Sequence, residues 1–222
     1  MSRSPPPSIY NHPTFVSSNK TLKSKIMRKL ILEVQTSIDG YIAGKDSGSS
    51  WMLWNWSNDW NWDADLQQYH TDLTASVDCI LLSRKMATEG FIHHWAGMAK
   101  QTNNPQARFA GNITQAQKVV FTKTLETSEW ENTVLAKGDL TEEVNKLKQA
   151  PGKNIIAYGG ATFAGSLIKA GLVDELHLVV NPMAIGDGLS IFSGLTNPLP
   201  FSLIAATGYK SGMVLLKYGK PS

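Results

Sequence analysis

The sequence predicts an α/β protein built on a mostly parallel sheet, with helices on both faces and a C-terminal antiparallel hairpin. Strand-like and helix-like segments alternate from Met27 onward, which is typical of parallel strands joined by crossover helices. The segment VDCILLS (77–83) is apolar almost throughout, as in a strand that is buried on both faces. The segment FSLIAATGYKSGMVLLKYG (201–219) has two strand-like halves around 210–212, which predicts the hairpin.

Each remaining element has its own local pattern. Further strands are predicted in RKLILEVQTS (28–37), QKVVFT (117–122), ENTVLA (131–136), KNIIAYGG (153–160) and VDELHLVVNP (173–182). Helices are predicted in DADLQQYHTDL (63–73), RKMATEGF (84–91), DLTEEVNKLKQ (139–149) and ATFAGSLIKAG (161–171). Asp63 is the expected N-cap of the first helix, and Asp139 followed by Glu142 resembles a capping box. Gly171 is the expected left-handed residue that ends the last helix.

Composition narrows the class of protein. The chain of 222 residues is 42% hydrophobic and 18% charged, as in an ordinary globular protein. No apolar run approaches the ~18 residues that a membrane-spanning helix needs, so no membrane partner is expected. Cys79 is the single cysteine and lies in an apolar run, so it is interpreted as a buried hydrophobic residue. Without an internal disulfide, a reducing compartment, the cytoplasm, is the expected location.

Residues 1–26 are predicted to form a disordered tail, because they are rich in Ser and Pro and have no apolar period. The tail contains basic residues and no acidic ones, and the rest of the chain is nearly balanced. The formal net charge of +3 therefore does not indicate a nucleic-acid partner. The tail is compatible either with an organelle transit peptide or with a translation start at Met27. Residues 27–222 are predicted to form one domain.

Three predicted strand ends carry residues that suit phosphate. Gly159-Gly160 lies between a strand and a helix, where the backbone can approach a ligand and helix N–H groups can bind an anion. Ser83, Arg84 and Lys85 follow a second strand, and Thr122-Lys123 follows a third. Because open α/β sheets bind ligands beyond the carboxyl ends of their strands, these segments predict a long phosphorylated ligand. Cations near its adenosine end would favour NADP over NAD.

Four segments together, KLILEVQTSIDGYIAG, ILLSRKMATEGF, KVVFTKTLE and IIAYGGATFAGSLIKAGLVDELHLVVNPMAIGDGLSIF, resemble the dihydrofolate reductase-like superfamily. Within it, the chain is most similar to the RibD C-terminal family, the reductase domain of riboflavin biosynthesis and its free-standing relatives. The resemblance spans about residues 27–219. It implies an eight-stranded α/β fold, a homodimer, NADPH as cofactor, and reduction of a pteridine- or pyrimidine-related compound.

The resemblance also assigns site residues. It places Gly159, Gly160, Ala161, Thr162 and Phe163 at the loop and helix start that hold the cofactor phosphates. It places Ser83, Arg84 and Lys85 at a second phosphate-binding turn, although the family usually has Gly where Ser83 stands. Thr122 and Lys123 match the segment near the adenosine 2′-phosphate. The turn Ile38–Ala43 matches the nicotinamide side, with Ala43 at the cofactor and Asp39 and Tyr41 at the substrate.

The segment NWDADLQQY (61–69) resembles the dihydrofolate reductase helix whose buried carboxylate contacts the pterin, which would make Asp65 a substrate-binding and proton-donating residue. The alternative is that Asp63 and Asp65 only favour the helix start through capping and the helix dipole. Five tryptophans precede or enter this helix, at 51, 54, 56, 60 and 62. Two or three of them, Trp54 and Trp62 among them, are expected to wall the substrate pocket.

No metal site is expected, since His93-His94 has no accompanying ligand cluster and His177 fits a structural role. The expected function is NADPH-dependent hydride transfer to a heteroaromatic substrate, as in 5-amino-6-(5-phosphoribosylamino)uracil reductase. Two alternatives remain open. One is dihydrofolate reductase activity, which is favoured only if Asp65 is buried in the cleft. The other is a non-catalytic, dimeric NADP-binding protein.

Overall fold

A computed structural model describes residues 27–54 and 63–221. The predicted tail and Trp62 lie outside these ranges. The strands are β1 (Leu30–Thr36), β2 (Val77–Ser83), β3 (Gln117–Phe121), β4 (Thr133–Ala136), β5 (Asn154–Tyr158), β6 (Glu175–Val180), β7 (Ser202–Gly208) and β8 (Val214–Gly219). The helices are α1 (Ala64–Ala75), α2 (Arg84–Thr88), α3 (Phe91–Ala99), α4 (Ala107–Gln115), α5 (Leu140–Gln149) and α6 (Ala161–Lys169).

The strands form one eight-stranded sheet in the order β4-β3-β2-β5-β1-β6-β8-β7. Pairing is parallel from β4 through β6, and β8 and β7 add an antiparallel pair at the edge. The predicted fold class and the terminal hairpin are therefore confirmed. Parallel strands end at the same edge of the sheet, so this topology brings the ends of β1 to β6 together.

Apolar strands separate two cores, one on each face of the sheet. Ile80 and Leu81 are both fully buried, yet Ile80 packs under α1, α3 and α4, whereas Leu81 packs under α5 and α6. Side chains alternate between faces along a strand, so a strand covered on both sides needs a continuous apolar run. This accounts for VDCILLS.

Helix boundaries follow local chemistry, with two corrections to the expectation. The helix predicted over 84–91 is split, because Gly90 adopts a left-handed φ of 102° between α2 and α3. Helix α4 was not predicted, since only Phe109, Ala110 and Ile113 mark its buried side. Gly171, with φ of 65°, follows the end of α6 as predicted.

The two expected caps differ in what their carboxylates bind. Asp139 accepts hydrogen bonds from the backbone N–H groups of Thr141 (2.9 Å) and Glu142 (3.1 Å), as an N-cap should. Asp63 occupies the N-cap position of α1 without a capping bond. Its carboxylate instead accepts from the backbone of Lys210 at 2.9 Å and Ser211 at 3.1 Å, which ties α1 to the turn between β7 and β8.

Fully buried Asn181, just after β6, fastens the loop that leads from β1 towards the tryptophans. Its Oδ1 accepts from the Leu53 backbone N–H at 2.9 Å, and its Nδ2 donates to Gln35 Oε1 at 3.2 Å. Gln35 Nε2 in turn donates to the Trp54 carbonyl at 2.8 Å. None of the helices in the described ranges is long and apolar enough to cross a membrane.

Asn181→Ala is expected to lower the free energy of unfolding by about 1–3 kcal/mol, because it leaves buried polar partners without their hydrogen bonds. Urea denaturation followed by circular dichroism measures the change. Asn197→Ala, at an exposed position, is the matched control and should be nearly neutral. Equal stability of the two variants would contradict the fastening role of Asn181.

Candidate active site

A cleft of about 1730 Å³ opens along the edge where the parallel strands end. It exceeds the roughly 300–1,000 Å³ of a typical small-molecule pocket. Its described walls come from β1, α1, the ends of β4 and β5, the starts of α2, α5 and α6, and parts of α3 and α4. The 41–54 loop, the 121–124 segment and the 187–194 loop complete them. Space of this size can take a dinucleotide together with a second small molecule.

The outer part of the cleft is formed by the start of α6. Gly160 is the N-cap residue of α6 and makes no side-chain capping bond. A Cβ added to Gly160 would meet no atom within 4 Å, whereas one on Gly159 would lie 2.6 Å from the Phe163 ring. Gly159 is therefore needed for packing, and Gly160 leaves the helix start open to the cleft. Ala161, Thr162 and Phe163 line the same wall, and the phosphate-holding role expected of them stays a prediction.

Ser83, Arg84 and Lys85 also line the cleft, at the start of α2. The Ser83 hydroxyl accepts from the Met86 N–H at 3.2 Å and so caps the helix. Arg84 and Lys85 are exposed, and Lys85 lies 3.6 Å from Glu89 in a solvated ion pair. Both cations lie where they can reach an anionic group in the outer cleft.

The third predicted segment, Thr122-Lys123, lines the cleft as well, and its polar groups are largely engaged. Buried Thr122 accepts from the N–H groups of Thr124 (3.1 Å) and Leu125 (3.0 Å), which shapes the turn after β3. Lys123 Nζ donates to the carbonyls of Lys137 at 2.7 Å and Gly138 at 2.8 Å. Lys123 contributes positive charge from a position held by β4.

Two loops close the side of the cleft next to β1. Ala43 pairs with Leu189 through backbone hydrogen bonds, and Tyr41 and Ala43 line the cleft. Asp39 is not among the lining residues. Its carboxylate accepts from the N–H groups of Ile185 (3.2 Å) and Gly186 (2.7 Å), so the structure gives it a loop-fastening position in place of the predicted substrate contact.

Aromatic rings wall the inner part of the cleft. Trp54 lies 5.4 Å from His70, 6.1 Å from Trp95 and 6.0 Å from Phe109, measured between ring centroids. Trp95 is 1% exposed, and its indole N–H has no acceptor in the described part of the chain. Trp54 thus lines the cleft, its contact with a substrate stays a prediction, and the expectation for Trp62 concerns a residue outside the described ranges.

A buried ion pair lies at this inner end. Glu33 of β1 and His70 of α1 are 7% and 2% exposed, and Glu33 Oε1 lies 2.6 Å from His70 Nδ1. The Tyr158 hydroxyl donates to Glu33 Oε2 at 3.1 Å. Burial alone would raise the pKa of Glu33. The charge of His70 and hydrogen bonds from His70 and Tyr158 outweigh burial, so the pKa of Glu33 lies below its usual value.

Further polar residues continue from Glu33 across the sheet. Glu33 pairs in register with His177 of β6, which pairs with Lys217 of β8. His177 Nδ1 lies 2.8 Å from the Tyr69 hydroxyl, and its Nε2 lies 3.2 Å from a Glu175 oxygen. Burial lowers the pKa of His177. His177 packs inside the sheet–helix layer, in agreement with the structural role expected for it.

Asp65 does not take the position expected for it. It is exposed in the first turn of α1 and is not among the residues that line the cleft. The buried carboxylate of the cleft belongs to Glu33, on a strand. The reason is geometric: His70 lies five residues after Asp65, and it is His70 that α1 turns towards the sheet.

Sequence reasoning missed Glu33 and His70, although Glu33 left a signal. It is the one charged residue within the buried strand LILEVQT, and charged groups are buried only when they are paired. Its partner comes from α1, 37 positions away in the chain, and nothing local in DADLQQYHTDL identifies His70 as that partner. In the described ranges, no group of three or more His, Cys, Asp or Glu residues could hold a metal ion.

An eight-stranded sheet with one antiparallel edge and a ligand cleft at its parallel strand ends defines the dihydrofolate reductase-like class. Dihydrofolate reductase from Enterococcus faecalis complexed with NADP(H) has this fold, with a TM-score of 0.54 and 13% identity over 87% of this chain and 97% of that one. A protein assigned to riboflavin biosynthesis from Shewanella sp. PV-4 matches with a TM-score of 0.64 and 21% identity, over 87% and 99% of the two chains. At such identities the likeness shows the fold.

The chain belongs to the RibD C-terminal domain family, whose model matches residues 28–215. The resemblance seen in the sequence is thereby confirmed, and this is a family of reductases. A curated relative, the uncharacterised protein YyaP of Bacillus subtilis (strain 168), is 29% identical over 194 residues, which cover 86% of this chain and 94% of YyaP.

Asp65→Asn is expected to leave reductase turnover within about twofold of the unsubstituted protein, because the carboxylate is exposed and outside the cleft. The comparison uses the initial rate of reduction, measured with NADPH and one pteridine as the trial pair of reactants. A loss of ~100-fold, the size expected for a positioned general acid, would restore Asp65 to the reaction.

Proposed function

We propose that this protein is an NADPH-dependent reductase that acts on a flat heteroaromatic small molecule of the pteridine or pyrimidine type. The observation that carries the proposal is a cleft that joins an open glycine at a helix start to a buried ionisable pair within aromatic walls. The uracil reductase of riboflavin biosynthesis is the model for such a reaction.

The outer cleft suits the phosphates of the cofactor. Gly160 exposes the unpaired backbone N–H groups at the start of α6, and helix N-termini favour anions. Arg84 and Lys85 on α2, with Lys123 and Lys169, add positive charge to the same lining. An adenosine 2′-phosphate near Thr122 and Lys123, with Arg84 and Lys85 at the other phosphates, would account for a preference for NADPH. When bound, NADPH supplies the hydride.

The inner cleft suits a flat ring. Trp54, Trp95 and Phe109 provide apolar walls, and aromatic side chains favour offset or edge-on contacts with another ring. The Trp95 N–H is a donor for an oxygen or nitrogen on that ring. Glu33 and His70 add a polar pair at the same end. A cleft walled in this way selects a planar molecule with polar edges.

The positions of Asp65 and of the Glu33–His70 pair bear on the two alternative functions. Dihydrofolate reductase activity was favoured only with Asp65 buried in the cleft, and Asp65 is exposed. A purely cofactor-binding role makes no use of the buried Glu33–His70 pair at the inner end of the cleft, whereas ionisable groups held in clefts are frequent at reactive sites. A catalytic function is therefore proposed, because it involves both the outer and the inner end of the cleft.

NADPH binding is tested first with Gly160→Asp. The new carboxylate enters open space and can cap α6, so the melting temperature of the ligand-free protein should stay level or rise. Repulsion of the phosphates should weaken NADPH binding at least about tenfold, about 1.4 kcal/mol. Thermal-shift titration reports both quantities, because a ligand that binds only the native state raises its apparent stability.

Gly111→Asp is the matched control, because a Cβ there also meets no atom and α4 carries Gly111 away from the cleft lining. Its NADPH-induced shift should equal that of the unsubstituted protein. An unsubstituted protein that shows no shift with NADPH would overturn the proposed function.

The proposed assembly is a homodimer through the sheet edge at β7. Leu203 and Ile204 are 60% and 56% exposed there, and among the described strands β7 pairs with β8 alone. An exposed apolar edge strand invites pairing with another chain.

The proposed location is the cytoplasm, whose reducing conditions suit Cys79, a buried thiol whose pKa burial raises to about 11.

The double variant Leu203→Glu/Ile204→Glu is expected to shift the protein from dimer to monomer, since it places charges in the apolar edge. Light scattering coupled to gel filtration gives the mass. Thr207→Glu, also on exposed β7 but outside the apolar pair, serves as the comparison. A dimer that survives the double substitution would locate the interface elsewhere.

A further inference from the structure

Charged residues of the cleft divide sharply by burial. Among the described lining residues, Glu33 and His70 are buried at 7% and 2% exposure, and every other charged residue there is exposed. Exposed groups such as Lys85 and Lys123 lie where phosphates would bind, whereas the buried pair lies among the aromatic rings. The pair is therefore placed to act on the ring of a bound molecule.

We propose that His70, held by Glu33, is the proton donor for the reaction in this cleft and that Tyr158 orients Glu33. This inference rests on the proposed function. It assigns to a strand carboxylate and a helix histidine the role that the sequence had suggested for Asp65. His70 is then a catalytic residue that touches the substrate, and Glu33 and Tyr158 are positioning residues.

The reaction balances as the reduction of a ring C=N bond. The carbon receives a hydride with its two electrons from a dihydronicotinamide, the C=N π bond breaks, and its electron pair moves to nitrogen. That nitrogen takes one proton from the His70 imidazolium, which becomes a neutral imidazole. Solvent then returns a proton to His70. Glu33 keeps its negative charge throughout and holds the ring of His70, whose Nδ1 lies 2.6 Å from Glu33 Oε1.

Histidine suits this role better than the neighbouring groups do. It exchanges protons near neutral pH more readily than any other side chain. Burial and the adjacent Glu33 raise the pKa of Tyr158 well above its ordinary value, so Tyr158 retains its proton and serves as a hydrogen-bond donor. His177 and Tyr69 also adjoin the pair, but they bind each other and are not among the residues that line the cleft.

The aromatic walls make a built-in donor necessary. Trp54 and Phe109 lie against the His70 ring, Trp95 packs against both of them, and together they limit the water that could protonate a reacting nitrogen. An ionised carboxylate inside such walls costs several kcal/mol unless it is paired, so Glu33 would be a liability without a partner. With a proton donor at this position, the free-energy cost of burying Glu33 serves the reaction.

The test uses 7,8-dihydrobiopterin, a small pterin with a reducible C=N bond, as the probe. Its reduction is followed as NADPH oxidation in single turnovers of the NADPH-loaded protein. Two further measurements do not depend on turnover: calorimetric binding of the probe to the protein without NADPH, and the NADPH-induced thermal shift. The variants are His70→Gln, Glu33→Gln and the double variant, which removes both buried charges and so preserves folding if one single variant does not fold.

Each single variant and the double variant should lose about 100-fold or more in the single-turnover rate, as expected for removal of a positioned acid. The probe Kd should change by less than about tenfold, because the proton is transferred in the reaction and not on binding. The NADPH-induced shift should stay at its original size. Asp72→Asn makes the same carboxylate-to-amide change at an exposed position of α1 and should match the unsubstituted protein.

Turnover of His70→Gln at the unsubstituted rate overturns the inference and leaves the proposed function standing. An unsubstituted protein that binds NADPH but does not reduce the probe also overturns the inference and leaves the proposed function standing. Loss of the NADPH-induced shift in the double variant also overturns it, because the pair would then act on the fold. Absence of that shift in the unsubstituted protein instead removes the proposed function itself, so the two failures are distinguishable.

Discussion

The inner part of the cleft depends on one constraint: the negative charge of Glu33 is buried within the sheet. Its strand, β1, lies between β5 and β6 and is buried on both faces. A carboxylate at that depth is tolerated only with compensating partners. His70 from α1 and Tyr158 from β5 supply them, so the charge fixes how α1 packs on the sheet. The same partners place the His70 imidazole among the aromatic rings that line the cleft.

The outer half depends on a different constraint, the convergence of parallel strand ends. β2, β3 and β5 each lead into a segment that lines the cleft, and the loop at 41–43 is attached from the other side by its pairing with Leu189. Gly160 keeps the helix start uncovered, whereas Gly159 is occupied by the Phe163 ring. The two halves meet in one space because β1 contributes to the inner wall and its neighbour β5 leads to the outer wall.

The sequence predicted the fold, and the segments that it assigned to a cofactor line the cleft, because both depend on local signals. Apolar runs identify doubly covered strands, and Gly159-Gly160 marks a strand–helix turn within two residues. The inner half was predicted less well, because it depends on contacts between distant segments. Asp65 had the expected residue type near the expected helix, but the register of α1 directs His70 towards the sheet and leaves Asp65 in solvent. Likewise, Asp63 is a residue type that N-caps favour and it occupies the N-cap position of α1. Its carboxylate, however, accepts from the backbone of the distant turn at 210–211 and not from the helix.

Two tryptophans of the Trp-rich segment, Trp51 and Trp54, lie in the described part of the loop that follows β1. Trp54 is a wall of the inner cleft, and Trp51 is half-buried in the same loop. Their loop is held by Asn181 and Gln35, so the position of Trp54 is set by β1 and β6 and not by its neighbours in sequence. A wall of the cleft that is attached to two central strands links the shape of the cleft directly to the core of the fold.

The most direct test of this account is the crystal structure of the protein with NADP⁺. The account predicts the phosphates beside the Gly160 backbone and the nicotinamide ring directed towards Trp54 and the Glu33–His70 pair. A nucleotide bound outside this cleft, or one whose nicotinamide lies at the mouth with its adenosine among the aromatic rings, would contradict it.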